Sequence, residues 1–545
     1  MIRSLLRVSI GTALAVAIQA SPAIYLHSVV NAASYYAPGL PGGSIAQGSM
    51  FTIFGSGLGP SQPATQSSFP LATNFSGVSI QVTQGTTSVN AIPLYVSASQ
   101  INAIMPSNVP LGWSSVLVTF NSKSNPSPVY IVHDSPGIFT STGTGIGPGA
   151  VQNALGNGKL ASNSYQASAT PGQTVQIYLT GLGPISTPDN QAPPADSPAT
   201  PVEVWVGGVS AKVVYSGRSP CCSGLDQIDF VVPSNAPLGC WVPVYVQTSQ
   251  VNVSSFASMA ISAKGGACSD SSNPLSALIR SGGSLGSISL IRMVVNEDIG
   301  VNAPLDVSND FVTYSDANIS KGPFTFLPFE STPPPGSCAV YPGVGDFLET
   351  GSVPEVAPLA LDGGTQLSIS GPGGQQSVTT TQNGAYLGSY LPLYSLPNQL
   401  FLTPGAYMVK TNGGTDVPGF TASVTMPPSP TWTNQDQISV VSRSQPLTLN
   451  WSGSVPGQPV GILGVGSDLP TDSSAVFLCV APSGASSFTV PAQVIHSLPY
   501  SRANPLASKD IIYLISATAS SFPASGLSMG AASGGYMLGK TVIFQ

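Results

Sequence analysis

A domain-sized internal repeat constrains this chain of 545 residues more than any other feature. Gly48-Ser-Met-Phe-Thr-Ile-Phe-Gly-Ser-Gly-Leu-Gly-Pro60 aligns with Gly172-Gln-Thr-Val-Gln-Ile-Tyr-Leu-Thr-Gly-Leu-Gly-Pro184. Ser99-Gln-Ile-Asn-Ala-Ile-Met-Pro-Ser-Asn-Val-Pro-Leu-Gly112 aligns with Asp226-Gln-Ile-Asp-Phe-Val-Val-Pro-Ser-Asn-Ala-Pro-Leu-Gly239. The offsets are 124 (48 to 172) and 127 (99 to 226), so a small loop insertion separates two long matches. Self-similarity on this scale is duplication of a whole folding unit. Residues 28–140 and 145–263 are expected to superimpose with the same topology.

The pattern inside each copy sets the class. In the second copy, short runs at Thr174–Thr180, Val202–Val206, Lys212–Tyr215, Gln227–Val232 and Val242–Gln247 are separated by Pro, Gly and Asn turns. Short strands at close spacing without a helical period predict a β-sandwich. In Val202-Glu-Val-Trp-Val206, the valines share one face and Glu203 and Trp205 the other, which leaves Trp205 a candidate for exposure. Pro-Ser-Asn-x-Pro-Leu-Gly reads as a turn closing a hairpin between the last two strands. Composition removes rival classes. Only 7% of residues are charged, against roughly 25% in ordinary domains, and coiled coils need far more. Fifteen Lys and Arg against 22 Asp and Glu cannot form a nucleic-acid surface. A hydrophobic content of 42% excludes a low-hydrophobicity disordered chain.

The motifs also resemble a family. Asn31-Ala-Ala-Ser-Tyr35, Gly43-Ser-Ile, Phe51-Thr-Ile-Phe-Gly55 and Gln100-Ile-Asn102 resemble the repeat called the Solibacter uncharacterised C-terminal domain family. The second copy matches through Gly181-Leu-Gly183, Val206-Gly-Gly-Val209 and Gln227-Ile-Asp229. Both copies are similar to TIG/IPT domains, which are immunoglobulin-like sandwiches. The resemblance covers about residues 28–263. It implies a fold and a secreted setting, and it brings no catalytic residues with it.

The N-terminus reads as a secretory signal. Arg3 and Arg7 precede a short apolar run, Val8 to Ile18, and Ser21-Pro22-Ala23 or Ala20 supplies a small residue for cleavage. No later stretch has the apolar length of a membrane helix. The expected division is a signal peptide at 1–23, sandwich 1 at 24–140 and sandwich 2 at 141–263. An acidic β-rich region at 264–360, a small β module at 361–428 and a sandwich-like region at 429–545 follow. Strand-like runs there are Ser287–Val295, Thr365–Ser370, Ala406–Lys410, Thr421–Met426, Leu447–Trp451, Ala475–Val480 and Ile511–Ala517, with short helical turns near Asn273–Arg280 and Pro491–Leu498.

Candidate chemistry is sparse. Gly282-Gly-Ser-Leu-Gly286 and Gly526-Leu-Ser-Met-Gly530 match the nucleophile-elbow pattern, but that pattern needs a strand–turn–helix setting and a later His. No His follows Ser528, and only His496 follows Ser284. His27, His133 and His496 have no metal-ligand spacing. Ten of the 22 acids fall between Glu297 and Asp362, with Lys321 the only cation among them. Asp306, Asp310 and Asp316 are the nearest calcium candidates, although no Asp-x-Asp-x-Asp-Gly loop is present. A glycosidase carboxylate pair in this stretch is a second reading, and a solvated acidic face is the plain one. Among the tryptophans Trp113, Trp205, Trp241, Trp432 and Trp451, the last is in phase with Leu447 and Leu449 and is expected in a core.

Six cysteines fit an oxidising compartment. Cys240 sits at the turn end of the last strands and Cys221 and Cys222 at the opposite end, about 20 Å away at roughly 3.3 Å per residue. A return strand through Ser255–Ser262 brings Cys268 back to Cys240, so Cys240–Cys268 is expected. Cys338 and Cys479 are then partners, and Cys221 and Cys222 either form a vicinal bridge or stay reduced. The resulting expectation is a secreted, all-β protein of tandem immunoglobulin-like sandwiches followed by a β-rich C-terminal region. Its expected role is structural, adhesive or ligand-binding, without catalysis or cofactor. The alternative is a carbohydrate-binding or carbohydrate-active protein with its site in the C-terminal half. Extracellular polysaccharide or a cell-surface protein is the expected partner; nucleic acid and a membrane span are not. A clustered exposed aromatic platform would favour the carbohydrate alternative.

Overall fold

The computed structural model describes residues 21–194, 200–248, 252–297, 305–342, 359–380, 385–386, 392–397, 400–468, 473–501 and 510–545. The charged and apolar parts of the expected signal segment lie outside the described residues, while Ser21-Pro22-Ala23 leads into the first strand, Ala23–Asn31.

The two N-terminal units are immunoglobulin-like sandwiches with one strand order. In the first, Met50–Ser56, Gln100–Ile104, Thr87–Val96, Val78–Gln84, Gly112–Phe120 and Ser127–Val132 are successive neighbours. In the second, Thr174–Thr180, Asp226–Val231, Val209–Arg218, Val202–Val206, Gly239–Thr248 and Ala257–Ile261 follow in the same order. Even the irregularities match: a bulge falls between Pro93 and Tyr95 in one copy and between Val213 and Tyr215 in the other. Alternation explains the cores. Ile80, Val82, Val116, Val118, Val129 and Ile131 point into the first sandwich, and Val204, Val206, Val242, Val244, Met259 and Ile261 into the second. Each such side chain contributes about 1.5–3 kcal/mol when fully buried. Leu58 and Leu182, from the two Gly-Leu-Gly-Pro turns, are both fully buried.

The expected hairpin is not formed. Asp226–Val231 pairs with Thr174–Thr180 and Val209–Arg218, whereas Gly239–Thr248 pairs with Val202–Val206 and Ala257–Ile261. Both strands have their two edges filled by other partners. The Pro233–Gly239 segment therefore carries the chain from one sheet to the other, and its two prolines lack the N–H groups a hairpin ladder would use.

Beyond residue 264 the units read separately from sequence interleave. Ser337–Pro342, Ser473–Ala481, Val460–Asp468, Asp510–Phe522, Met529–Phe544, Gly283–Glu297 and Leu305–Ile319 are successive neighbours of one large sheet. Residues 264–360 and 429–545 thus supply one sheet, because Gly283–Glu297 lies parallel to Met529–Phe544 from Leu285↔Met529 onward. The segment between them forms a four-stranded sheet, Gly374–Thr379, Gln366–Gly371, Gly405–Thr411 and Thr421–Met426. Its Ile369, Tyr407, Val409 and Val424 pack on Ile288, Leu290 and Val312 of the large sheet. The opposite parity of the same sheet, including Ala339, Tyr341 and Leu478, packs against Trp241 and Tyr165 of the second sandwich. The helical turns are Ser276–Ser281 and Ala492–His496.

Candidate functional site

The residues singled out from the sequence take mostly structural places. Ser284 and Ser528 are brought together, but not as a nucleophile elbow. They sit at the start of two parallel strands, where the Ser528 N–H donates to Ser284 Oγ at 2.8 Å and the Ser284 N–H donates to Ser528 Oγ at 3.1 Å. Ser284 Oγ donates in turn to the Gly526 carbonyl at 3.0 Å. The two Gly-x-Ser-x-Gly matches form a reciprocal clip joining strand ends. The histidines stay apart: His27 is in the first strand, His133 contacts Asp134 at 3.1 Å, and His496 ends a short helix. Burial and nearby Arg443 hold the His496 pKa below its ordinary value.

The calcium candidates Asp306, Asp310 and Asp316 are placed by the backbone on one strand, Leu305–Ile319, rather than in a loop. Asp310 and Asp316 are therefore about 20 Å apart at roughly 3.3 Å per residue. The Asp310 carboxylate is fully engaged by Arg292, with contacts of 2.6 and 2.8 Å, and by the Leu402 N–H at 2.6 Å. Asp316 accepts the Tyr314 hydroxyl at 2.5 Å, and burial pushes both groups above their ordinary pKa. The Asp306 side chain lies outside the described residues. Among the described residues, no group of three His, Cys, Asp or Glu could hold a metal ion.

The cysteines are bonded as Cys221–Cys222, Cys240–Cys268 and Cys338–Cys479. Cys240 and Cys268 have Cα atoms 5.4 Å apart, because Ala257–Ile261 returns antiparallel along Gly239–Thr248. Cys338 and Cys479 are direct cross-strand partners, with Cα atoms 4.0 Å apart.

The tryptophans divide sharply. Trp241, Trp432 and Trp451 are buried. Trp205 is not the exposed ring that its alternation allowed: it stacks on Tyr245, with centroids 6.3 Å apart and planes at 7°, and packs against the C-terminal core. The exposed one is Trp113, at 68%. It lies opposite Tyr130 across the Gly112–Phe120 and Ser127–Val132 strands, and Tyr130 is 44% exposed. The rings meet edge to face, with centroids 5.1 Å apart and planes at 60°. The Gln84 amide fixes the strand start beneath them, donating to the carbonyls of Leu111 at 2.7 Å and Trp113 at 3.2 Å.

Beside this pair, the outward rows of the sheet bring Ser115, Thr83 and Ser88 into line, then Leu117, Gln81 and Asn90. Thr83 and Ser88 share a hydroxyl–hydroxyl bond of 2.8 Å. No charged residue occurs on these four strands, and the charge nearest them in the sheet is Lys123, which pairs opposite Thr119 at the far end of the Trp113 row. The sequence does carry a signal for it: no Asp, Glu, Lys or Arg stands between Arg7 and Lys123. The arrangement offers an apolar ring surface and, beside it, neutral hydrogen-bonding groups.

No family model matches the chain, and no curated protein matches it. Among solved structures, it is similar to the extracellular region of plexin A4 at 15% identity, covering 44% of this chain and 18% of that one, with a TM-score of 0.16. The Gamma-CGTase from Alkalophilic bacillus clarkii gives 12% identity over 69% of this chain and 36% of that one, with a TM-score of 0.17. Titin domains I67–I69 give 7% identity over 70% of this chain and 96% of that one, with a TM-score of 0.10.

Proposed function

We propose that this chain is a secreted, non-enzymatic extracellular protein with a ligand-binding or adhesive role, built on a structural array of sandwiches. The observation that carries the reading is the open sheet face bearing Trp113 and Tyr130 on the first sandwich, with Lys123 at its far end and neutral side chains beside the rings. Large exposed rings cost solubility unless they have a partner, so their concentration on one face supports binding. Three disulfides suit an oxidising compartment. The ordered motifs of both copies support placing them with the TIG/IPT-like Solibacter repeats. A carbohydrate site in the C-terminal half has less support, since both tryptophans there, Trp432 and Trp451, are buried.

Cell fractionation, non-reducing peptide mapping and turnover assays on chromogenic esters and glycosides test this reading. The expected result is a disulfide-bonded protein outside the cytoplasm with no turnover. Cytoplasmic retention with reduced thiols, or esterase activity lost in Ser284→Ala, would overturn it.

A further inference from the structure

The duplicated domain supplies an internal comparison. In the second sandwich, the outward face of the Val202–Val206, Gly239–Thr248 and Ala257–Ile261 strands is covered by the C-terminal body. Trp241 and Ala260 pack in one junction core, and Tyr245, with Trp205 against it, in another. Among the described residues, the topologically equivalent face of the first sandwich has no such cover, and there Trp113 and Tyr130 stand in solvent.

We propose that this open face binds a neutral polysaccharide, with Trp113 and Tyr130 stacking on pyranose rings and the Gln81, Asn90, Thr83 and Ser88 rows hydrogen-bonding its hydroxyls. The inference rests on the binding role proposed above and names its ligand class. Three features select a glycan. First, the sheet brings one charge to this face, Lys123 opposite Thr119, about 20 Å along the strand from Trp113 at roughly 3.3 Å per residue, so nothing beside the rings matches an anionic polymer, a lipid headgroup or a charged peptide. Second, hydroxyls and amides are the groups that pair with sugar hydroxyls, and a pyranose with equatorial hydroxyls presents apolar C–H faces to an aromatic ring. Third, a protein partner is disfavoured by contrast with the covered copy. That copy buries Trp241 and Tyr245, whereas Gln81 and Asn90 hold the centre of the open face. The 60° between the rings adds a constraint. Two rings so inclined cannot both lie flat on a planar crystal, so the fit is to a single soluble chain that turns between them. A cross-strand aromatic pair also steadies its sheet, but that role does not require a Trp left in water.

Native affinity electrophoresis of the full chain through gels containing hydroxyethyl cellulose, a neutral β-linked glucan, tests the proposal. Polygalacturonate gels and sedimentation of the free protein run beside it. Retardation by the neutral glucan is expected and should persist in about 1 M salt, where charge-driven binding is screened. Trp113→Ala and Tyr130→Ala should each weaken it about tenfold, or about 1.4 kcal/mol, while the fold is kept and the melting temperature falls by no more than the few degrees that loss of the cross-strand pair costs, and Trp113→Phe should retain part of it. Absence of retardation, an unaffected Trp113→Ala, binding to polygalacturonate alone, or a self-association abolished by Trp113→Ala would each overturn the proposal. If the glucan does not bind but the protein is exported and without turnover, the ligand class fails and the non-enzymatic reading stands.

Discussion

Arg218 shows how much one residue can commit a sandwich to a particular packing. It is 1% exposed, donates to Asp226 at 2.6 Å, and reaches the Gly183 carbonyl at 3.1 Å. Asp226 also accepts the Leu182 N–H of the Gly-Leu-Gly-Pro turn at 2.8 Å. In the first copy Ser99 stands at the Asp226 place, and the Leu58 N–H goes to the Ala98 carbonyl instead. The same turn is thus held by backbone in one copy and by a buried ion pair in the other. Removing one partner of such a pair costs about 3–5 kcal/mol, whereas neutralising both costs far less. Urea unfolding of Arg218→Met should show a loss of that size. Arg218→Met with Asp226→Asn, which keeps an oxygen for Leu182, should recover most of it. Equal losses in both variants would refute this account of the turn. Glu330 gives a pH-dependent counterpart. Burial pushes its carboxyl from 4.5 up to about 7, against its own backbone N–H, which pulls it down. A carboxyl raised in the folded state favours folding when protonated. Its contribution is full below about pH 4.5 and is lost as pH rises through about 7. The melting temperature of Glu330→Gln relative to the parent should therefore rise across that window; a constant difference would contradict the assignment.

At the scale of elements, legibility followed alternation. Thr421–Met426 and Val202–Val206 alternate and were readable in the sequence to the residue. Met529–Phe544 is not legible from alternation, although it is central to the large sheet, because Gly530, Gly534, Gly535 and Gly539 interrupt any apolar period. Those glycines serve close approach instead. A Cβ on Gly534 would stand 2.5 Å from the Thr425 carbonyl oxygen, so the four-stranded sheet can seat there only on a bare backbone. Thr518 Oγ1 donates to that same carbonyl at 2.6 Å. Gly534→Val should destabilise by about 1–3 kcal/mol in urea unfolding; a neutral result would mean that the two sheets do not touch there. The hairpin at Pro233–Gly239 was misread for a different reason. Its turn residues announce a reversal, but only the partners on each strand's other edge decide whether the chain stays in its sheet. Trp113 belongs to the same lesson. Alternation ranks faces within a strand, yet which outward face stays open depends on a separate body of the chain, the one whose core takes in Tyr245 and Trp205 while Trp113 stays exposed.

Across the whole molecule, duplication followed by unequal covering is the organising feature. The second sandwich uses its outer face as an internal joint, stapled by Cys240–Cys268 beside Trp241. The first keeps the same face free and carries almost no charge anywhere: between residues 24 and 140 only Lys123 and the buried Asp134 are formally charged. The central claim is that equivalent faces have opposite fates, one a joint and one a binding surface. Hydroxyl-radical footprinting of the intact disulfide-bonded chain, with and without hydroxyethyl cellulose, measures both fates at once. Trp113 should oxidise fastest among the tryptophans and Tyr130 should oxidise readily in the free protein, with Trp241 protected, and the glucan should protect Trp113 and Tyr130 while leaving the exposed Tyr500 unchanged. Protection of Trp113 in the free protein, or oxidation of Trp113 unchanged by saturating glucan, would contradict the account.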